Sequence, residues 1–170
     1  MAMSSPIAGG APIAELVRAY LAAEYQWQHN GDWHDLRIGL PVPALELLYP
    51  DAACFGLLSA WNPQSVECAE AANREADRAL RQDLVEAGVP FLAAFSSATN
   101  RSWREPGWMV INLPLDRFDA LARKYGQLGT LWWARNRPGR LRIHAVRPAD
   151  GDHDHVDWLP PVAHAHDPAT

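Results

Sequence analysis

Residues 55–84 read FGLLSAWNPQSVECAEAANREADRALRQDL: an apolar run that stops at Asn62-Pro63 and gives way to a charged, alanine-rich stretch. The run at 54–61 is apolar on both faces, the pattern of a central strand covered on both sides. Residues 66–87 have the periodicity of a long helix. Its inner stripe is Ala69, Ala72, Ala76, Leu80 and Leu84, and outside it Glu70 pairs with Arg74 and Asp77 with Arg81 at i,i+4 spacing. Gly88 is a natural stop. A strand that turns sharply into a helix is where an open sheet presents its chemistry, and polar side chains gather at this turn.

Working outward, residues 13–23 place Ile13, Leu16, Val17, Tyr20 and Leu21 on one helical face. Residues 24–28 and 35–39 alternate as two short strands, with Asn30-Gly31-Asp32 supplying the turn. Pro41 and Pro43 close that hairpin, and 44–49 form a short helix. Beyond the long helix come a strand at 91–95, a polar loop at 96–104 and a strand at 108–113. A helix at 116–125 faces inward through Phe118, Leu121 and Ala122, and strands at 130–135 and 141–146 form a last hairpin. Trp132 and Trp133 point to opposite faces of one strand. The order, α-β-β-α-β-α-β-β-α-β-β, is irregular. The expected fold class is therefore α+β, one mixed sheet with about four helices packed on it. A single domain over 13–147 is expected, with a disordered segment at 1–12 and a mostly disordered His-, Asp- and Pro-rich tail at 148–170.

The composition excludes more than it assigns. The 170 residues are 48 % hydrophobic with a formal net charge of −5, and no basic stripe suits a long nucleic acid. No segment reaches the roughly 20 apolar residues that span a bilayer, and the N-terminus lacks a secretory pattern. Cys54 and Cys68 read as two reduced structural thiols, so a cytoplasmic protein is expected. His153, His155, His164 and His166 sit beside Asp152, Asp154 and Asp167. Such pairs take up zinc or nickel adventitiously, but a built metal site is not expected without a rigid scaffold. No motif names a cofactor.

Five polar residues stand out besides these. Asn73 falls within the apolar stripe of the long helix, so its amide must find partners inside: it either ties the helix to a loop or faces a ligand. Asn62, before Pro63, suits a helix N-cap, or a turn whose free N–H groups receive a ligand. Ser59 shares that strand end, without the GxSxG elbow of a serine hydrolase. Glu105, before Pro106-Gly107, is a general base, a hydrogen-bond acceptor for a ligand, or a rim charge paired with Arg101 or Arg104. Gln127, just after Gly126, bridges backbone groups or faces a ligand.

The set SAWNP (59–63), Asn73-Arg74, EPGW (105–108) and KYGQ (124–127) resembles a bacterial family of unknown function, numbered 3293 among such domains. The resemblance spans 20–143. It departs from the family's pattern at Gly107-Trp108, usually a small polar residue after Glu-Pro, and at Leu128-Gly129-Thr130. The resemblance implies that Ser59, Asn62, Asn73, Glu105 and Gln127 group together, with Arg74 at the edge, and it supplies no reaction.

Four readings follow. The first is a module binding a small molecule or nucleotide-like ligand in an amide-rich pocket whose polar atoms lack internal partners. The second is an enzyme using Glu105 as general acid or base, marked by burial of that carboxyl. The third is a protein-interaction domain using exposed tryptophans. In the fourth, the same residues only lock the loops together.

Overall fold

The apolar run becomes the middle of the sheet. A computed structural model describes residues 12–100 and 104–160, and in it β3 (Cys54–Leu58) is buried along its whole length. The chain runs α1 (Ile13–Ala22), β1 (Glu24–His29), β2 (Asp32–Leu36), α2 (Pro43–Leu48), β3, α3 (Glu70–Ala87), β4 (Phe91–Ser97), β5 (Arg104–Ile111), α4 (Leu115–Lys124), β6 (Gly129–Ala134), β7 (Arg140–Ile143) and β8 (Val156–Trp158). This is the expected α+β order with one strand added. The eight strands form one sheet in the order β2-β1-β4-β5-β3-β6-β7-β8. Every pairing is antiparallel except β7 with β8, so the sheet is mixed.

Alternation along the strands divides the core in two. Leu57, Met109, Leu131 and Trp133 lie on one face with Ile13 and Val17 of α1 and Leu45 of α2. Leu58 and Val110 lie on the other, with Leu80 and Leu84 of α3 and Phe118 and Ala122 of α4. Trp133 stacks on Phe55, while Trp132 takes the opposite face as expected. The sheet curls until Ile38, beyond β2, bridges Gly139 in the β6–β7 turn.

The differences from the sequence reading have local causes. The first hairpin is tighter, because Asn30 and Gly31 both take positive φ and β2 starts at Asp32; two such residues make the turn that matches strand twist. α3 begins at Glu70 instead of residue 66, since Gln64 and Ser65 are left-handed (φ 57° each) and turn the chain out of a helical path. Its inner stripe is narrower: Ala69 and Ala72 are exposed. Asp77 feels the Arg81 charge and is half-buried, accepting from Trp108 Nε1 at 3.0 Å. β5 begins at Arg104, four residues early, so Glu105 is a strand residue. Pro106 reads as a breaker, yet β3 has ended at Leu58 where it would have needed Pro106's N–H, and the vacancy costs nothing.

The expectation of disorder from residue 148 is corrected over 148–160. Val156, Asp157 and Trp158 pair with Leu141, Arg142 and Ile143, Trp158 Nε1 donates to Gly151 O at 3.1 Å, and the His155 ring packs on Gly39. His164, His166, Asp167 and residues 1–11 lie outside the described residues. Among the described residues no cluster of His, Cys, Asp or Glu has the spacing to hold a metal ion, and no helix is long and apolar enough to cross a membrane.

Candidate functional site

At one end of the sheet β3 and β4 stop while β1, β5 and β6 begin, and α1 finishes above them. There the register sets Tyr25, Ser96 and Glu105 side by side in one row across β1, β4 and β5. Directly paired residues share a face, so all three point toward α1. The Tyr20 ring comes down over Gly129, where an added Cβ would meet Cζ at 2.7 Å. Glycine at 129 thus leaves the room that this ring takes.

The Tyr20 hydroxyl hydrogen-bonds Ser65 Oγ, and Tyr25 Oη donates to Tyr20 O at 2.5 Å. The first bond joins α1 to the loop of residues 61–69, and the second ties β1 to α1. Three residues of that loop, Asn62, Gln64 and Ser65, hold left-handed backbone without being glycine. Each costs on the order of 1 kcal/mol or more, so the surroundings must impose the shape.

The four motifs do so. Asn73 Oδ1 accepts from Asn62 N at 2.9 Å, and Asn73 Nδ2 donates to Asn62 Oδ1 at 2.8 Å. Asn62 Oδ1 also receives the Cys68 N–H at 3.0 Å. Gln127 Nε2 donates to Trp61 O at 3.1 Å, and Gln64 N donates to Gly126 O at 2.8 Å. Ser59 Oγ donates to Pro106 O at 2.8 Å and accepts from Trp61 N at 3.0 Å. The grouping of Ser59, Asn62, Asn73, Glu105 and Gln127 is therefore physical, but the amides are committed inward. Asn62 stands at the N-cap of a single 3-10 turn, Pro63–Ser65, without a side-chain capping bond, and Arg74 is exposed and bound to Glu70 at 2.5 Å.

Removing the central amide gives a first prediction. Asn73→Ala strands the Asn62 N–H and should lower stability by about 1–3 kcal/mol, with faster amide exchange across residues 62–68 than elsewhere. Unchanged exchange there would show that Asn73 does not hold the loop.

Beneath α1 and this loop lies a cleft of about 720 Å³, walled by Leu16, Tyr20, Trp61, Cys68 and Ala98 among others. A second, inner chamber of about 30 Å³ contains Glu105, Ser59 and Gln127 in its lining. Tyr20, Tyr25, Asn62, Ser65 and Ser96 line both spaces, so the two adjoin. Glu105 is only 8 % exposed, so it is no rim charge. Burial raises its pKa to about 7, offset in part by Ser59 and Asn62 beside it. Since Asn62 Oδ1 is occupied, Nδ2 is the group with which Asn62 can favour the carboxylate. Burial likewise pushes the Tyr20 hydroxyl up to about 12 and Tyr25 higher still, and the Glu105 charge adds to both.

Residues 58–129 match the model of a family described as "Protein of unknown function (DUF3293)". That is the family the four motifs resemble. The DUF3293 match runs from the last residue of β3 to the first of β6, and takes in every candidate side chain from Ser59 to Gln127. No curated protein and no solved structure matches the chain. Sequence reasoning missed Tyr20 and Tyr25 as site residues. The alternation around Tyr25 marked its face, but nothing local tied that face to Glu105.

Proposed function

We propose that this protein binds a small molecule in the cleft and reads it through Glu105. The observation that supports this reading is a buried carboxyl lining a water-sized chamber that adjoins a cleft of about 720 Å³. That volume is in the range of small-molecule pockets, and its wall combines apolar and aromatic surface with polar groups that include Asn62, Ser65, Glu67, Glu70 and Arg104. The site differs from an amide-rich pocket, because Asn62, Asn73 and Gln127 shape the loop and Glu105 faces the chamber. The free thiols Cys54 and Cys68 suit a bacterial cytoplasmic setting.

An enzymatic reading is favoured by one specific observation, the burial of Glu105, which pushes its carboxyl up to about 7, where a general acid or base works best at neutral pH. The interaction-domain reading has less support: among the described tryptophans only Trp33, at 40 %, is among the exposed large apolar side chains.

A thermal-shift screen against nucleosides, nicotinamide compounds, sugars and short peptides tests the proposal. A ligand at 100 times its Kd should add about 2.7 kcal/mol, and Glu105→Ala should remove that gain. A hit whose stabilisation is unchanged in Glu105→Ala would place binding elsewhere.

A further inference from the structure

We infer that the ligand carries a terminal amino group, which enters the inner chamber against Glu105 while its apolar or aromatic body fills the outer cleft. This rests on the small-molecule reading above. Three observations lead to it.

The first is size. The chamber's 30 Å³ has room for little more than one or two water molecules. A group that occupies the chamber is therefore the size of an amino or hydroxyl group, and a phosphate or a sugar ring is too large. The second is hydrogen bonding. A carboxylate has about four acceptor positions. Beside Glu105 stand two side-chain donors, Ser59 and Asn62, and the Ser59 hydroxyl is shared with Pro106 O, which leaves carboxylate acceptor positions open. An amine fills several vacant positions and a hydroxyl fills one.

The third is charge. Glu67 and Glu70 stand at the mouth and Glu105 at the floor. Arg104 borders the cleft, but its guanidinium lies 3.8 Å from the Phe95 ring centroid, and Arg74 is held by Glu70. With Glu70 paired to Arg74 and Arg104 opposing Glu67, the outer charges nearly cancel, and the carboxyl at the floor is what favours a donor or cation over an anion.

Cys68 is exposed on the cleft wall and Cys54 is buried with its Sγ against Leu113 O, so alkylation of the first against the second reports occupancy. The probes are matched pairs: adenosine and inosine, cytidine and uridine, tryptamine and tryptophol, benzylamine and benzyl alcohol. The amino member of at least one pair should slow Cys68 alkylation, with affinity about tenfold or more above its oxygen counterpart. Glu105→Gln should abolish that preference; if this variant does not fold, the matched pairs on the native chain decide alone. Equal protection by both members, or protection only by sugars or nucleoside monophosphates, overturns the amine inference and leaves the small-molecule reading standing. If no compound of any class protects Cys68, both fall.

Discussion

Asp119→Ala is expected to destabilise the fold by about 3–5 kcal/mol, the largest single effect the structure predicts. Asp119 on α4 and Arg142 on β7 are each only 9 % exposed at the side chain. They form two bonds, Nε to Oδ1 at 3.0 Å and one terminal nitrogen to Oδ2 at 2.6 Å. Arg142 reaches Asp157 of β8 at 3.7 Å, and Arg140 binds Asp157 twice at 2.9 Å. The network therefore ties a helix, an inner strand and the last strand together. Alanine at 119 leaves a guanidinium buried beside a weaker, more distant carboxylate. The melting temperature should fall by on the order of 10 °C for a domain of this size. Asp119→Leu combined with Arg142→Met removes both charges and should recover most of the loss. If the double variant is no better than Asp119→Ala, packing rather than an unpaired charge sets the cost.

Nothing local in the sequence marks Asp119. In an amphipathic pattern an isolated carboxylate beside Phe118 reads as a solvated residue, and only the strand it meets, 23 residues on, shows otherwise. The bond of Asp77 with Trp108 escapes for the same reason, since Trp108 belongs to a strand two elements later. Periodicity, by contrast, is a local property, and it located seven of the eight strands and all four helices. β8 escaped because three residues carry no usable alternation and its pairing partner decides it. The start of α3 escaped because left-handed Gln64 and Ser65 contradict their own propensities and are held by Gly126 and Tyr20. For the site, motif grouping was legible and role was not. Asn73 was visible as a buried amide. That it serves Asn62, while Glu105 is left facing a chamber, depends on contacts across the sheet.

Glu105 should also give the protein an unusual pH dependence. A carboxyl whose pKa rises from 4.5 in the unfolded chain to about 7 in the fold keeps its proton in the folded state through that interval. The folded state then binds more protons than the unfolded state, so stability falls as pH rises. The contribution is fully present below about pH 4.5 and is lost by the time pH passes 7. Between pH 5 and pH 8 the loss is about 2–3 kcal/mol. His144 acts in the opposite sense: burial lowers its pKa from 6.5, so stability recovers as pH rises through that range. A bare pH profile therefore mixes the two, and the comparison with Glu105→Gln separates them. Glutamine keeps the shape and does not titrate, so the native chain should lose about 2–3 kcal/mol relative to the variant between pH 5 and pH 8 in denaturant titrations. Parallel profiles would mean that the carboxyl is solvated and titrates like an ordinary glutamate, and the case for a proton-exchanging group at the floor of the cleft would go with it. A diverging pair that converges when an amino ligand is added would show the bound cation offsetting the burial of the carboxylate, since a positive partner restores the charged form that burial disfavours.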